Sequence, residues 1–432
     1  MISDQSIIYD SRRGDLYFFF SEMSRVRKSI AAIQEHLQLS SSFNRSLFYN
    51  CLAACVCSYN LGCSYGITSL ITKEIEEPWL QTTFAAVIHV GTIFGTIFSF
   101  LSNEEPDELL FLSFFPYVIG WFFQLISHQV KDETLAIEIM GRILLGIGGG
   151  ITAVSCPIYL YQLSSSKQLT GFFQVSLVTG IFSQHMLLSL TNNVDVVVVI
   201  NFLLTILVPI AFHLASTKLV RTISEYDNDG SFSPEPEENF RDGHFSGDNY
   251  QDFDLKQTMF TIGIVMSQQF CGLNVVNFFL QDICNEARVS SCAVYVTSIQ
   301  VIVTTIASFG IYKSCLRVKS NLVLSKIGVA FSLLLLSVAD FTDSHVTKVF
   351  SAGLFQTFFA FGLGPVVWII AAENFRCDKF WMGIAVMANH TASLMTVYSF
   401  GRMRDIFGEG STFMIYAVFT AISAVTVFIF MK

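Results

Sequence analysis

Uncharged hydrogen-bonding side chains interrupt an apolar stretch of membrane-spanning character between residues 264 and 280. At helical spacing these side chains fall near one face of a helix. An amide in hydrocarbon is costly unless it has a partner. The cluster therefore predicts a polar cavity inside a helical bundle, although such amides can also hold neighbouring helices together. The residues concerned are Gln268, Gln269, Gly272, Asn274 and Asn277.

The composition of the whole chain is that of a membrane protein. Of its 432 residues, 52% are hydrophobic and only 14% are charged, and the mean hydropathy is +0.54. A soluble domain of this length carries about a quarter charged residues. The formal net charge of −9 lies largely in one loop, and no basic stripe is present. We therefore expect the lipid bilayer, and no nucleic acid, as a partner.

Twelve apolar segments lie along the chain, six on each side of a long polar interval. Each is close to the length that a helix needs to cross a bilayer. The sequence therefore predicts an all-α membrane protein with twelve transmembrane helices in two six-helix halves. The segments cover approximately residues 47–71, 79–101, 109–128, 136–161, 171–191, 195–215, 257–281, 293–312, 321–340, 346–371, 381–400 and 411–431.

Polar stretches divide the chain into four predicted parts. Residues 1–46 form a tail, in which residues 29–39 either lie on the inner membrane surface or are solvated. Residues 47–215 form the N-terminal half, and residues 257–432 form the C-terminal half. Between them, residues 216–256 are acidic and too poor in apolar side chains to fold alone, which predicts a flexible cytoplasmic linker.

Basic residues predict the orientation of the chain. Of the 25 Lys and Arg residues, 18 lie on the side of the two termini, 6 lie on the opposite side, and Arg142 lies within a segment. Basic residues concentrate on the cytoplasmic side of membrane proteins. We therefore expect both termini in the cytoplasm, and an integral, multi-pass protein of the plasma membrane.

The cysteines and the remaining motifs favour no enzyme, metal site or cofactor. Four of the 10 cysteines lie within the first apolar segment, where packing of small side chains is favoured over metal binding. No metal-ligand spacing, nucleophile elbow or phosphate-binding loop stands out. Cys284 and Cys292 flank one short loop, and a disulfide between them, which requires an external loop, is the less favoured alternative.

Polar and glycine-rich motifs recur in the two halves. They are Gln268-Gln269-Phe-Cys-Gly272-Leu-Asn274, Gly362-Leu-Gly364-Pro365-Val-Val-Trp368 followed by Glu373, Gly141-Arg142 with Gly146 and then Pro157-Ile-Tyr159 and Gln162, and Ser58-Tyr59-Asn60. Together they resemble the motifs of the sugar porter family of the major facilitator superfamily, which comprises facilitative glucose and proton–sugar transporters. The resemblance covers roughly residues 47–430.

The resemblance implies a major facilitator fold that moves a hexose or similar small sugar by alternating access. Neutral amides both donate to and accept from sugar hydroxyls without the desolvation cost of an ion. Trp368 would cover an apolar face of the sugar, and Glu373 would lie near the sugar and the inner gate. By the resemblance, the amides that hold hydroxyls are Gln174, Gln268, Gln269 and Asn274. Gating and structural roles fall to Asn60, Arg142, Gln162, Gly362, Gly364 and Pro365.

Several positions depart from the family pattern. Proton-coupled relatives carry Asp at the position of Asn60, so the sequence predicts a uniporter. The family's basic motif is missing from residues 102–108, which are acidic instead. Acidic residues of this loop are candidates to pair with Arg376 or Lys379. The eighth-helix Asn of the family aligns near Thr304, and its eleventh-helix Asn-Trp pair has no clear match at Thr391-Ala392.

Two other functions remain open. The missing gate motifs and the long N-terminal tail favour a sugar sensor that binds without transporting. The third hypothesis is a carrier of another small organic solute, with or without coupling to protons. The scarcity of charged side chains within the segments, Arg142 apart, argues against a strongly charged substrate.

Overall fold

The structure is a computed structural model, and it describes most of the chain. The described residues are 41–72, 75, 77–127, 134–164, 169–210, 212, 255–286, 291–312, 317–375 and 378–431. The chain divides into two units, of which the smaller one contains the described residues 41–53, 209, 210 and 212. The larger unit, Ala54–Val208 with Leu255–Lys432, contains every site discussed below. The predicted tail segment 29–39, nearly all of the linker 216–256, and Arg376 lie outside the described residues.

The described residues form α-helices and one π-helical turn, without strands, which confirms the all-α prediction. The N-terminal helices are α1 (Ser41–Thr72), α2 (Pro78–Leu101), α3 (Pro106–Leu112), α4 (Phe114–Ser127), α5 (Thr134–Ser164), α6 (Gly171–Thr191) and α7 (Val194–Thr205). The C-terminal helices are α8 (Leu255–Ser267), α9 (Leu273–Phe278), α10 (Leu280–Glu286), α11 (Cys292–Tyr312), α12 (Val318–Phe341), α13 (His345–Phe358), α14 (Pro365–Asn374), α15 (Lys379–Phe407) and α16 (Glu409–Phe430).

The helices coincide with the twelve predicted segments. Within the described residues, eight helical spans are long and apolar enough to cross a membrane. A shorter apolar helix, Val194–Ile210, occupies the sixth segment. α15 runs to Phe407, about two turns beyond the predicted end of its segment, and begins with the polar Lys379.

Close packing of α2 on α5 explains the glycine-rich fourth segment. A Cβ atom at Gly91 would lie 2.0 Å from the carbonyl oxygen of Ile143, and one at Gly146 would lie 2.2 Å from that of Ile88. Only glycine permits such an approach of two helix backbones. Pro157 lies inside α5 and does not interrupt it.

Two segments of the C-terminal half are interrupted. The seventh segment is three short helices, α8, α9 and α10, instead of one helix. The tenth segment is α13, a π-helical turn over Phe359–Leu363, and α14. The assumption of continuous helical spacing between Gln268 and Asn277 is therefore wrong, because the backbone turns between α8 and α9.

A disulfide joins Cys284 in α10 to Cys292 at the start of α11, with their Cα atoms 5.6 Å apart. This pairing is the less favoured alternative from the sequence, yet the structure contains it. Disulfides persist on the oxidising side of a membrane. The bond therefore agrees with the predicted external position of the loop between the seventh and eighth segments.

Lys326 is a charged residue within the ninth apolar segment. It is fully buried in α12, where Nζ donates to Ser267 Oγ at 2.7 Å and to Ser423 Oγ at 2.8 Å. These bonds tie α12 to α8 and α16 directly behind the turn that follows Ser267. A buried ammonium is tolerated because its donors are satisfied.

Candidate functional site

A cavity of about 490 Å³, including its open part, lies between the N-terminal and C-terminal helices. The N-terminal helices contribute Leu61, Tyr65, Ala153, Phe173, Gln174, Leu177 and Ile181 to its lining. The C-terminal helices contribute Gln268, Gln269, Leu273, Asn274, Asn277, Gln300, Phe359, Trp368, Asn389 and His390.

A left-handed glycine places the amides of the seventh segment in this cavity. Gly272 has φ +73° and precedes the first residue of α9. A Cβ atom there would also approach the ring of Tyr416 to 2.7 Å, so glycine is required both by conformation and by space. The turn brings Gln268 and Gln269, which precede it, into the same lining as Asn274, which follows it.

The break in the tenth segment exposes backbone groups that side chains then satisfy. Pro365 has no N–H to donate to the carbonyl oxygen of Phe361, and Asn321 Nδ2 donates to that oxygen at 2.9 Å instead. The carbonyl oxygen of Leu363 accepts from Gln268 Nε2 at 2.9 Å. Gln268 of the interrupted seventh segment thus bonds a backbone oxygen at the break in the tenth segment, so the two segments form one polar unit.

A chain of amides extends from this unit along α15. Asn389 Nδ2 donates to Gln268 Oε1 at 3.2 Å, and Gln269 Nε2 donates to Asn389 Oδ1 at 2.9 Å. Asn274 Nδ2 donates to Gln269 Oε1 at 2.9 Å and to Ser393 Oγ at 2.5 Å. The amides of the C-terminal half are therefore ordered by one another before any ligand is bound.

The N-terminal half presents polar groups that are not ordered in this way. Within the described residues, the amide of Gln174 makes no hydrogen bond, although the side chain is buried in the lining. The hydroxyl of Tyr65 is also buried without a partner there. Phe173 packs edge-on against Trp368 with ring centroids 5.2 Å apart. The indole therefore lies at the contact between the two halves.

Asn60 and Arg142 lie in the N-terminal half without a hydrogen bond between them in the described structure. Asn60 Oδ1 accepts from Thr205 Oγ1 at 2.6 Å. The fully buried Arg142 donates to the carbonyl oxygen of Ser64 at 2.9 Å and to Thr68 Oγ1. No carboxylate of the described residues forms an ion pair with this guanidinium, which instead ties α5 to α1.

Glu373 and Gln162 lie at helix ends outside the lining. Glu373 is half-buried in the last turn of α14, and Gln162 is exposed near the end of α5. Five of the six predicted sugar-binding residues line the cavity, and Glu373 does not. Gly364 lies beside the cavity, since a Cβ atom there would reach within 3.4 Å of the Gln174 side chain.

Sequence reasoning missed four polar residues of the lining. Asn389 and His390 lie on α15 two residues before the positions that were inspected, and Gln300 lies one turn before Thr304. Tyr65 follows Asn60 by five residues on α1. A search for any amide or imidazole within one turn of the expected positions would have found the first three. No metal-binding cluster of His, Cys, Asp or Glu occurs among the described residues.

The two halves also touch on the predicted inner side of the cavity. Lys379 Nζ donates to the carbonyl oxygens of Ser102 and Glu104, the latter at 2.6 Å. Burial lowers the pKa of Lys379, and the nearby Glu105 and Glu104 oppose that shift. The expected contact between this loop and Lys379 therefore exists, but it is made through backbone oxygens.

The acidic residues of the loop serve the start of α3 instead. Glu105 and Glu108 form a capping box, in which the Glu105 N–H donates to Glu108 Oε2 at 3.1 Å. Carboxylates in the first turn of a helix stabilise its N-terminal amide groups. Glu105 and Glu108 thus stabilise the start of α3, while their charges remain close enough to Lys379 to oppose the lowering of its pKa.

On the predicted outer side, Thr72 Oγ1 at the end of α1 donates to the carbonyl oxygen of Phe278 at 3.2 Å. On the same side, Gly401 of α15 lies against Thr82 of α2, where an added Cβ atom would be 3.1 Å from the threonine methyl carbon. The cavity is therefore bounded by contacts between the halves at both ends.

Known proteins similar to this chain share its length and its fold. Residues 46–220 and 215–432 match the family described as "Sugar (and other) transporter". The chain is 24% identical to Sugar transporter ERD6-like 6 of Arabidopsis thaliana, over 86% of this chain and 82% of that protein. It is 23% identical to the D-xylose transporter of Levilactobacillus brevis, over 86% of this chain and 88% of that one.

Solved structures give the same fold. The xylose transporter XylE from E. coli, in a partially occluded inward open conformation, superposes with a TM-score of 0.70 over 90% of this chain and 98% of that chain, at 16% identity. The fold is that of the major facilitator superfamily, and the protein is an integral, multi-pass membrane protein that works as a transporter and not as an enzyme. With its family matched over nearly the whole length from residue 46, the chain belongs to the sugar transporter family.

Proposed function

We propose that this protein moves a hexose or similar small sugar by facilitated diffusion, and that the cavity is its binding site. The observation that carries the proposal is the convergence of amides from both halves on one enclosed space. Gln174 approaches from one side, and Gln268, Gln269 and Asn274 approach from the other. Such groups match the alternating donors and acceptors of a sugar ring.

In this proposal Trp368 covers an apolar face of the sugar, since an indole offers both a flat apolar surface and one donor. Gly362, Gly364 and Pro365 provide the interrupted backbone on which the indole is mounted. The two predicted halves, residues 47–215 and 257–432, then rock about the cavity, joined by the linker 216–256. Glu373 and Gln162 act away from the sugar, at the inner ends of their helices.

Uniport is supported by the chemistry around Arg142. Asn60 cannot release a proton, and the described residues supply no carboxylate in ion-pair contact with the guanidinium. Some relatives of similar length bear names that include proton symport, such as D-xylose-proton symporter-like 2 of Arabidopsis thaliana. A dye trapped in proteoliposomes distinguishes the two mechanisms, because sugar entry by uniport leaves the internal pH unchanged.

Counterflow of labelled glucose in proteoliposomes tests the site itself. Gln268→Ala removes the donor to the Leu363 carbonyl oxygen, and Trp368→Ala removes the indole, so each should reduce transport about 10-fold or more. The matched controls are Gln281→Ala on α10 and Trp79→Ala at the exposed start of α2. Undiminished transport in both site variants would overturn the assignment, and sugar binding without flux would select a sensor.

A further inference from the structure

Two histidines, one from each half, meet beside the cavity. His89 of α2 and His390 of α15 stack with ring centroids 5.6 Å apart, and their Nδ1 atoms are 3.4 Å apart. Both side chains are buried. The rings of Phe278 and Tyr65 pack on His89, each with its centroid 5.8 Å away. The pair is therefore held in one geometry by both halves.

A backbone oxygen fixes the direction of the hydrogen bonds that lead to this pair. Asn389 Nδ2 donates to the carbonyl oxygen of Val265 at 2.7 Å, which orients the Asn389 amide. Its Oδ1 therefore faces Gln269 Nε2, and Gln269 Oε1 faces Asn274 Nδ2. The same Asn274 nitrogen is 2.5 Å from Ser393 Oγ. Because an amide nitrogen only donates, the Ser393 oxygen is the acceptor in that bond.

The hydroxyl proton of Ser393 then needs another acceptor, and His89 Nε2 lies 2.8 Å from Ser393 Oγ. A neutral His89 that accepts at Nε2 carries its proton on Nδ1 and donates it to His390 Nδ1. A neutral His390 that accepts at Nδ1 carries its own proton on Nε2. Two charged imidazoles at this separation would repel one another, and burial away from water disfavours even one charge, so the neutral pair is the state of the buried site.

The last donor of this series of hydrogen bonds has no acceptor among the described residues. His390 lines the cavity, and its buried Nε2 atom has no hydrogen-bond partner among the described residues. A buried donor without an acceptor is unfavourable. We propose that His390 donates from Nε2 to an oxygen atom of the sugar and determines which sugars are accepted, with His89 as the positioning residue that sets its tautomer. The proposal rests on the proposed function of this cavity.

Two amide substitutions of His390 separate the cavity donor from the contact with His89. Gln places its nitrogen close to the position of Nε2, whereas Asn places its nitrogen close to that of Nδ1. His390→Gln should keep the KM for the preferred sugar within about 2-fold, and His390→Asn should raise that KM about 5- to 10-fold. Purified variants in proteoliposomes are compared after size-exclusion chromatography shows that each is folded.

A panel of deoxy sugars, each lacking one hydroxyl oxygen, identifies the acceptor. In the wild type and in His390→Gln, one deoxy position should be selected against. In His390→Asn that selectivity should disappear, while the penalties at the other positions stay the same. His89→Leu should also abolish it, and His89→Asn, which keeps a donor near Nδ1, should restore it. A loss of packing alone would weaken all sugars alike and would not be rescued.

The outcomes are distinguishable from those of the parent proposal. If the wild type transports sugar and all four variants keep its KM and its deoxy-sugar selectivity, this inference is overturned while the site assignment stands. If the wild type neither binds nor transports any sugar of the panel, the proposed function fails first. Should His390→Asn not fold, the comparison of His89→Leu with His89→Asn decides the question through the same selectivity.

Discussion

The two halves furnish the cavity with polar groups in different states. On the C-terminal side, Gln268, Gln269 and Asn274 are tied to one another, to α15 and to freed carbonyl oxygens. On the N-terminal side, the Gln174 amide and the Tyr65 hydroxyl have no such partners among the described residues. One wall is thus ordered within the protein, and in the proposed function the bound sugar would supply the missing partners of the other, as expected where one half closes over a substrate held by the other.

The difference follows from the backbone. α5 and α6 are continuous helices. The seventh and tenth segments are interrupted: the carbonyl oxygens of Phe361 and Leu363 in the tenth accept from Asn321 and Gln268. The carbonyl oxygen of Val265 in the seventh accepts from Asn389. Irregular backbone at membrane depth is tolerated only where such partners or a polar cavity satisfy it.

Asn389→Leu should have the largest effect on this difference between the two halves. This change removes the hydrogen-bond partner of the Gln269 donor, the Gln268 acceptor and the carbonyl oxygen of Val265 at once. We expect a loss of about 2–3 kcal/mol in stability and at least about 10-fold slower counterflow. Thermal melting and transport measure the two effects. Thr391→Ala is the control, since Thr391 is exposed and bonds only the carbonyl oxygen of Met387 in its own helix; equal melting temperatures for both variants would contradict the prediction.

A second test concerns the outer end of the interrupted seventh segment. Replacing Cys284 and Cys292 with Ser frees the loop between α10 and α11, which should cost about 2–3 kcal/mol by loop-closure entropy. The melting temperature should fall, and a reductant should no longer change it. The single variant Cys271→Ser leaves the disulfide intact and serves as the control. A doubly substituted protein as stable as the wild type would show that the disulfide does not support the broken segment.

The N-terminal wall should respond in the opposite manner. Gln174→Ala removes no hydrogen bond that the described protein makes, so we expect its melting temperature without sugar to be unchanged. Sugar binding should weaken, with a KM about 5- to 10-fold higher. The added stabilisation by saturating sugar should shrink accordingly. A large drop in the stability of the sugar-free protein would erase the proposed distinction between the walls.

The smallest effect is expected at the inner contact. Lys379→Met removes two hydrogen bonds from a partly exposed lysine, which should change stability by less than about 1 kcal/mol. Because burial lowers the pKa of Lys379, its side chain binds a proton less tightly in the folded protein than in the unfolded chain. The contact should therefore gain stability as the pH rises through the lowered pKa toward the ordinary lysine value. Melting curves at several alkaline pH values measure this rise, which should be absent in Lys379→Met and retained in Lys256→Met.

Much of this architecture is predictable from patterns of apolar and polar residues. Apolar length placed the helices, and the motifs around Gln268 and Trp368 placed the cavity lining. The turn between α8 and α9 was not predictable, because Gly272 is compatible both with a close helix contact and with a left-handed turn. Pro157 and Pro365 look alike in sequence, yet only Pro365 begins a new helix.

The missed lining residues have a similar physical explanation. Asn389 and His390 were missed because the expected positions on α15 lie two residues later, and a shift of two residues moves a side chain to another helix face. The buried position of Lys326 was not predictable from the sequence. The two hydroxyl groups that satisfy it come from other helices, and no local pattern reveals them.

The inner contact has a consequence for how this loop can evolve. Lys379 is received by the peptide oxygens of Ser102 and Glu104, and every residue type carries such an oxygen. Substitutions along residues 102–104 can therefore accumulate without abolishing this contact, provided that the path of the main chain is kept. A contact of this kind leaves no signature in the side chains of the loop, so the residue types at positions 102–104 do not reveal it.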